Sequence, residues 1–389
     1  MSEDLSTFRT EAREWLEANC PHGARGPGSV PWGSQKIELS SDNQQWLKLM
    51  AEKGWTVPTW PSEYGGAGVS KAAYLVIQEE MARIGARAPL TGRGINYIGP
   101  TILEFGTEHQ KRKWLPRLAR GEGGWCMGYS EPEAGSDLAN LQLRCEDEGD
   151  HYLLNGMKIW TSDGRHGDWI FVLARTDRNK PKHEGISLVL VNMDQPGVRV
   201  RPISLINGQS PFCETFFEDA IADKEDLIGP VNGGWAVGKR LLQHERSVHG
   251  GVNTAGAQVE IETGSLADIS RRYGSLNDPA FRQRLTAFEM HDRAYQLTRQ
   301  RVIAETEASA PATATSILKV TGSVLTQERI EVQQAAMGNT GIGWEAPGFD
   351  DLELETTREW LHSRAVTIYG GTREIQKNII AKRVLGLPD

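Results

Sequence analysis

The sequence predicts a mainly α-helical protein with a central β domain, because three stretches of different character follow one another along the chain. Helical periodicity dominates residues 1–122, and short runs rich in valine, isoleucine and aromatic residues fill 123–232. Longer helical patterns return from 233 to 389. These changes predict three domains at 1–122, 123–232 and 233–389, in the order helical, β, helical.

The N-terminal domain is predicted to begin with a helix, because apolar residues recur at helical spacing from the start of the chain. These residues are Leu5, Phe8, Ala12, Trp15 and Leu16. Two further helices are expected in DNQQWLKLMAEKGW and KAAYLVIQEEMARIG, separated by the proline- and glycine-marked loop PTWPSEYGGAGVS. The segment EHQKRKWLPRLARGE closes the domain.

The middle domain is predicted from a series of short apolar runs. In DHYLLNGMKIWTS, Asn155-Gly156 stands between two apolar stretches, which predicts a two-residue hairpin turn. DWIFVLART, GISLVLVNM, GVRVRPISL and ETFFEDA follow as further strands. A compact β domain is therefore expected.

The C-terminal domain is predicted from long helical patterns. One begins with Asp278-Pro279, the pattern of a helix cap followed by proline at the first helical position. Two more helices are expected around 313–337 and from Thr372 to Leu385. No GxGxxG motif follows a predicted strand, which argues against a Rossmann dehydrogenase.

Composition and charge exclude some classes of binding partner and indicate the cellular compartment. The net charge of -8 and the pI near 5.7 argue against a nucleic-acid partner, because binding phosphate backbones needs a basic face. No apolar run approaches the ~20 residues that span a bilayer. The acidic N-terminus resembles neither a secretory nor a mitochondrial presequence, so a cytoplasmic protein is expected. The four cysteines and nine histidines show no metal-ligand spacing, so no metal site is predicted.

Two segments carry candidate binding chemistry. WCMGYSEPEAGSDLANL, residues 125–141, combines small residues, hydroxyls and exposed amides in a turn that would suit an anionic or aromatic ligand. On composition alone, an ordinary glycine- and serine-rich loop is the more common explanation. GMKIWTS, residues 156–162, is the second segment. Its tryptophan could equally be an ordinary half-buried residue of a β-strand.

These segments resemble two signatures of the acyl-CoA dehydrogenases, flavoenzymes that desaturate acyl-CoA thioesters, and the resemblance extends over nearly the whole chain. It implies a middle β-barrel, a C-terminal four-helix bundle, a tetramer built through the C-terminal helices, and FAD as cofactor. The residues that it places at the FAD are Met127, Tyr129, Ser130, Gly135, Ser136, Trp160, Thr161, Ser162, Arg271, Gly338, Gly341, Thr372 and Glu374.

Two positions depart from the family pattern. A glutamine that reaches a neighbouring subunit's FAD in many members is Ala335 here, with Gln334 one residue away. The family's Arg-x-x-Phe-Gly is represented by Arg271-Arg272-Tyr273-Gly274, in which the arginine is displaced. The FAD contacts across the subunit interface are therefore the part of the resemblance with the weakest match.

The catalytic base of many members is a glutamate in the closing segment, where this chain has Gly370 in TIYGGTREIQKN. In WAVGKRLLQHERSVHGG, Val237, Leu241, Glu245 and Val248 share one helix face, so Glu245 is an acid on an otherwise apolar stripe. An ion pair with an arginine is the ordinary explanation for such an acid.

Members of the isovaleryl and long-chain type have the base on this helix, directly before an arginine. The resemblance therefore implies Glu245 as base beside Arg246, with the Gly370 N–H stabilising the substrate's developing charge. It also implies that Ser136, Gln243, Arg246 and Gly371 contact the substrate.

Three hypotheses follow. The first is an acyl-CoA dehydrogenase that passes electrons to an electron-transfer flavoprotein. The second is a non-catalytic subunit that completes a partner's flavin site in an α2β2 heterotetramer, the assembly of some relatives that act on bulky steroid-type CoA esters. The third is an acyl-CoA oxidase that uses oxygen. Glycine at position 370 leaves room, which favours branched or bulky acyl groups.

Overall fold

The protein, seen in a computed structural model, is described over residues 5–249, 265–307 and 315–388. Contacts group the chain into two compact units. The first unit is Met1–Ile203 with Pro211–Val259, and the second is Ser204–Ser210 with Glu260–Asp389. The predicted order of helices, strands and helices is confirmed.

Five α-helices precede the first strand in the described part of the chain. They are α1 (Leu5–Asn19), α2 (Ser41–Glu52), α3 (Lys71–Arg83), α4 (Gly99–Phe105) and α5 (Glu108–Ala119). Side-chain caps explain three of the starts: Ser40, Ser70 and Thr107 each accept a hydrogen bond from a backbone N–H of the first turn. A π-helical turn, Gly94–Ile98, leads directly into α4, and neither of these two elements was predicted.

Helices α1 and α3 are joined by a charged cluster around one carboxylate. Glu80 on α3 is almost fully buried and accepts hydrogen bonds from Arg9, Arg13 and Arg83 at 2.7–3.2 Å. These guanidinium groups lower the pKa of Glu80 to about 2, Arg13 contributing most. A carboxylate can be buried at this helix interface because three cations surround it.

Eight strands form one sheet in the order β6-β7-β3-β2-β4-β5-β8, with β1 paired to β4. The strands are β1 (Trp125–Gly128), β2 (Arg144–Asp147), β3 (His151–Ser162), β4 (Trp169–Arg175), β5 (Ile186–Asn192), β6 (Val198–Ile203), β7 (Phe212–Asp223) and β8 (Leu227–Ile228). β1 and β4 are parallel, and the long strands β3 and β7 are antiparallel. The predicted middle β domain is confirmed.

Strands β4 and β5 are buried on both faces, which explains their continuous apolar sequences. Phe171 and Leu173 point into a core shared with α4, α5 and the helix that follows the sheet. Ile170 and Val172 point into a second core with β2, β3 and β7. The sheet is therefore packed against a core on each face, and these two cores hold the residues at the ends of its strands in place.

The predicted hairpin turn at Asn155-Gly156 is wrong, because β3 continues through both residues. The register with β7 shifts between Leu154 and Gly156, and Gly156 has φ +142°. The Asn155 side chain donates to Asp219 Oδ1 at 2.9 Å and accepts from the Asp219 N–H at 3.0 Å. Asn-Gly therefore lies inside a long strand, opposite a β-bulge in β7 where Glu218 and Asp219 face Asn155, and does not reverse the chain.

Three tryptophans connect the helical part of the first unit with its sheet. Trp114 on α5 lies 5.3 Å from Trp125 on β1 and 4.6 Å from Trp169 on β4, measured between ring centroids. Both contacts are edge to face, whereas Trp125 and Trp169 stack at 5.7 Å. This tryptophan cluster fixes the start of β1 against the helices.

The remaining helices follow the sheet. They are α6 (Gly234–His249), α7 (Leu266–Arg272), α8 (Pro279–Glu307), α9 (Thr315–Met337), α10 (Asp351–Ser363) and α11 (Arg373–Ile379). The predicted helix from Asp278-Pro279 and the two after it are confirmed within the described ranges, whereas α7 and α10 were missed. Within those ranges, no helix combines the length and the apolar character needed to cross a membrane.

Candidate active site

The segment from Ser130 to Asp137 forms a tight turn directly after β1. Glu131 and Ala134 exchange two backbone hydrogen bonds of 3.0 Å, which closes the turn. Gly135 and Ser136 are exposed, and a Cβ built on Gly135 would meet nothing within 4 Å. The turn therefore presents small residues and backbone groups to open space.

A buried ion pair joins this turn to β3. Lys158 is fully buried, and its Nζ lies 2.7 Å from Glu131 Oε1 and 3.1 Å from the carbonyl oxygen of Tyr129. Glu131 also accepts the backbone N–H groups of Gln142 and Leu143 at 2.6 and 2.9 Å. Burial lowers the pKa of Lys158 to about 8, although Glu131 opposes this shift. Sequence reasoning assigned no role to either residue.

Trp160 stands at the end of β3 in a strained and exposed position. Its φ is +62°, a region that tryptophan rarely adopts, and half of its side chain (51%) is exposed. The N–H of Ile159 donates to the Ser130 carbonyl at 2.9 Å, so Trp160 lies beside the turn. Strain of this kind is typical of binding and catalytic positions.

The residues around Trp160 divide between open and buried positions. Met127, Ser130 and Ser162 are half-buried. Thr161 is fully buried, and its hydroxyl accepts a 3.0 Å hydrogen bond from Thr215. An exposed indole, a small-residue turn and half-buried apolar and hydroxyl groups together fit a planar aromatic group with a polar chain, as in FAD.

Helix α6 begins in close contact with the sheet. A Cβ built on Gly234 would lie 2.4 Å from the backbone of Ser187 on β5, so glycine is required at the first position of the helix. Val237 and Leu241 are fully buried, and Glu245, one step further along the same face, is half-buried. The side chains of Arg246 and Val248 lie outside the described residues.

Two buried tyrosines lie close enough to Glu245 for its carboxylate to affect their acidity. Burial, with a smaller effect of Glu245, raises the pKa of Tyr97 to about 12, and the same two causes raise the pKa of Tyr129 well above its usual value. The Tyr129 hydroxyl is buried without a hydrogen-bond partner in the described structure. Tyr97 belongs to the unpredicted π-helical turn.

The outer face of α6 carries polar contacts. Arg240 makes two 2.7 Å hydrogen bonds to Glu104 and a third, of 2.9 Å, to the Gln243 side chain. Gln243 is exposed. The helix is therefore anchored to α4 on one side while Glu245 lies on the other.

The closing segment belongs to the second unit. Gly370 and Gly371 have φ values of +64° and +90°, and Gly370 is exposed. Thr372 caps α11 by accepting the Ile375 N–H at 3.2 Å, and Glu374 lies exposed in the first turn of that helix. The Gln376 side chain donates to the Gly370 carbonyl at 3.2 Å. The backbone therefore turns sharply where many acyl-CoA dehydrogenases have their glutamate.

Of the other candidate residues of the second unit, Gly338 is exposed and Gly341 is buried. Gly338 and Gly341 fall in a single helical turn after α9. Gln334 donates to the Gly341 carbonyl at 3.1 Å, so its amide is engaged inside its own loop. Arg271 pairs with Asp268 on α7. The described contacts of Gln334 and Arg271 are thus local.

Three family profiles match consecutive parts of the chain. "Acyl-CoA dehydrogenase, N-terminal domain" matches residues 2–122, "Acyl-CoA dehydrogenase, middle domain" matches 126–220, and "Acyl-CoA dehydrogenase, C-terminal domain" matches 232–385.

Full-length relatives agree with these profiles. Acyl-CoA dehydrogenase IpdE1 of Mycobacterium tuberculosis is 37% identical over 399 aligned positions, which cover 99% of this chain and 98% of that protein. The solved structure of the Tcur3481-Tcur3483 steroid ACAD is 28% identical, with a TM-score of 0.77 and coverage of 99% and 97%. The ChsE4-ChsE5 complex from Mycobacterium tuberculosis is 26% identical, with a TM-score of 0.73 and coverage of 100% and 99%. The chain therefore belongs to the acyl-CoA dehydrogenase family of FAD-dependent oxidoreductases.

Proposed function

We propose that this protein desaturates an acyl-CoA thioester to the trans-2-enoyl-CoA with Glu245 as the base that removes the α-proton. This assignment places it in the subset whose base lies on the substrate-pocket helix, as in isovaleryl and long-chain types. The observation that carries the proposal is the pair of positions 245 and 370. Glu245 shares the face of α6 with the buried Val237 and Leu241, whereas position 370 is glycine.

The reaction divides the substrate's two hydrogens between the protein and its cofactor. FAD, when bound at the residues proposed below, would supply the acceptor for the β-hydrogen as hydride. Glu245 takes the α-hydrogen as a proton, and the Gly370 N–H donates to the thioester oxygen on which negative charge develops. From the family motif alone, Arg246 is proposed to help hold Glu245 and Gln243 to contact the CoA ester, as are Ser136 and Gly371.

The FAD contacts are proposed for each unit separately. In the first, the exposed indole of Trp160 and the open turn at Gly135 support a flavin site that includes Met127, Tyr129, Ser130, Ser136, Thr161 and Ser162. In the second, Arg271, Gly338, Gly341, Thr372 and Glu374 are proposed from the family motifs alone. The domain boundaries at 122 and 232 remain part of the proposal.

The proposed substrate is a branched or bulky acyl-CoA, and the proposed electron acceptor is an electron-transfer flavoprotein. Glycine at position 370 and the likeness to a steroid ACAD support the bulky substrate. Turnover confined to short straight-chain acyl-CoAs would contradict it. The four cysteines are free and buried, which supports a reducing compartment such as the cytoplasm.

The proposed assembly is a homotetramer or an α2β2 heterotetramer. Large apolar side chains are exposed along α8 and α9, namely Met290, Leu297, Ile317 and Val324. Exposed apolar groups of this kind favour an interface through the C-terminal helices. A relative solved as a complex of two differently named chains supports the heteromeric alternative.

The test is an anaerobic titration of the purified flavoprotein with a panel of straight-chain, branched and steroid-type acyl-CoAs, followed by the loss of flavin absorbance. We expect Glu245→Gln to slow flavin reduction by about 10²–10⁴-fold, the usual contribution of a general base. Glu148→Gln is the matched control, because Glu148 is exposed on the β domain.

Three outcomes would revise the proposal. Equal bleaching of parent and Glu245→Gln would show that another residue is the base. A colourless purified chain that gains flavin only with a second protein would establish the heteromeric alternative. Reoxidation of the reduced flavin by oxygen at the rate of turnover would identify an oxidase.

A further inference from the structure

Lys319 on α9 makes two contacts with the stretch of chain that leads to Gly370. Its Nζ donates to the Val366 carbonyl at 2.8 Å and lies 4.7 Å from the centroid of the Tyr369 ring. Both partners belong to the stretch of chain that ends at Gly370. One side chain therefore ties the backbone before Gly370 to a long helix of the same unit.

The same ammonium group lies next to the position that a side chain on Gly370 would occupy. A Cβ built there would be 3.7 Å from both the Cε and the Nζ of Lys319, which is ordinary contact distance. A carboxylate at position 370 would thus be within reach of a cation and would be held as an ion pair. Such pairing lowers the basicity of a carboxylate.

A cation at this place has the opposite effect on a developing anion. Positive charge fixed near a forming enolate lowers the energy of the charge, and it does so without reorganisation during the reaction. The neighbourhood of Gly370 therefore suits stabilisation of an anion.

We infer that Lys319 is a positioning residue of the active site, which holds the Gly370 N–H in place and adds positive charge beside the substrate's thioester oxygen. This inference rests on the proposed function, since it needs the thioester to lie at Gly370.

The test measures the acidity of a bound 3-oxoacyl-CoA, whose enolate absorbs in the near ultraviolet and can be titrated without turnover. The probe is acetoacetyl-CoA, bound to the FAD-loaded protein. Lys319→Arg keeps both charge and hydrogen bond, whereas Lys319→Gln keeps a donor for the Val366 carbonyl and loses the charge. We expect the apparent pKa of the bound ligand to rise by about one unit, a tenfold loss of acidity, in Lys319→Gln. In Lys319→Arg we expect a value close to that of the parent.

Two results would overturn the inference. In one, Lys319→Gln has a lower melting temperature but leaves the ligand's acidity unchanged, which would make Lys319 merely structural. In the other, the parent protein does not increase the acidity of the bound ligand over that of free acetoacetyl-CoA. Both results compare equilibria, so neither depends on the rate of proton removal by the base. Failure of the proposed base would appear separately, as undiminished flavin reduction by Glu245→Gln.

Discussion

Lys158 is a fully buried lysine whose charge is balanced by a single carboxylate, Glu131. The pair holds together the two backbone segments that end in Ser130 and Trp160. Burying two charges is costly, and the cost is offset only while both partners and their additional hydrogen bonds are present. The geometry of the proposed flavin site therefore depends on two side chains that lie behind it.

We expect Lys158→Met to lower the free energy of unfolding by about 3–5 kcal/mol, because it leaves the Glu131 carboxylate buried without its cation. The double variant Lys158→Met with Glu131→Gln is expected to regain part of this loss, since no charge then remains. Urea unfolding at pH 7, together with the FAD content of the purified variants, provides the measurement.

Lys182→Met is the control for this experiment, because Lys182 pairs with Asp137 near the same turn but both side chains are exposed. Its expected cost is below about 1 kcal/mol. Equal stability of the Lys158 and Lys182 variants would show that the buried ion pair contributes no more to the free energy of unfolding than the exposed one.

Sequence reasoning identified Trp160 and the turn after β1 because their local composition is unusual. It missed Lys158 and Glu131 because they are 27 residues apart, and their contact exists only after β3 has been placed beside the turn. A signal was present, since a lysine stands in the middle of a strand with apolar neighbours. For Glu245, helical spacing located the apolar face correctly, but it did not show the nearby Tyr97 and Tyr129.

At the scale of elements, the junction of α1 and α3 should be sensitive to acid. The folded-state pKa of Glu80, about 2, lies below its ordinary value of 4.5. The unfolded chain therefore takes up the proton first as the pH falls. The stability contributed by this cluster is fully present above pH 4.5 and is lost between pH 4.5 and 2.

We expect Glu80→Gln to lower stability at pH 6 by about 1–3 kcal/mol and to reduce the dependence of stability on pH between 4.5 and 2.5. The loss of stability should lie nearer to about 1 than to about 3 kcal/mol, because the guanidinium groups around Glu80 reach solvent. Glu79→Gln is the control, since Glu79 is 61% exposed and pairs only with Arg9 in the described contacts. Parallel pH profiles of the parent and Glu80→Gln would contradict this account.

Elements with a long helical periodicity were predicted correctly, whereas elements whose form is decided by tertiary contacts were not. α1, α3 and α8 have clear helical patterns, and the structure contains them. Asn155-Gly156 has the composition of a hairpin turn, yet pairing with β7 on either side keeps it inside β3, opposite a bulge in β7. The π-helical turn before α4, Gly94–Ile98, is only 5 residues long, and its form depends on packing against neighbouring helices that local sequence does not encode.

At the scale of the molecule, all four cysteines lie in the first unit and all are buried. Burial raises the pKa of Cys126 and of Cys145 to about 12 and also raises that of Cys20 and Cys213. We expect the native protein to leave these thiols unmodified by an aromatic disulfide reagent at pH 8, and all four to react in guanidinium. Rapid reaction of any thiol in the native protein would contradict the buried arrangement.

The order of the three regions could be predicted from the sequence because each has its own hydrophobic pattern. The strand order could not, because neighbours such as β3 and β7 are far apart in the chain and their pairing is decided by packing. The grouping of α6 with the first unit was equally unforeseen, since its sequence resembles that of any other helix.

The tryptophan cluster gives the protein a built-in optical reporter. Indole transitions at centroid separations of 4.6–5.7 Å couple, and coupled transitions produce a circular dichroism signal that isolated indoles lack. Because one ring comes from α5 and two come from the sheet, that signal depends on the helices and the sheet keeping their relative geometry. Loosening of this junction could therefore be followed spectroscopically in the unmodified chain, without any label.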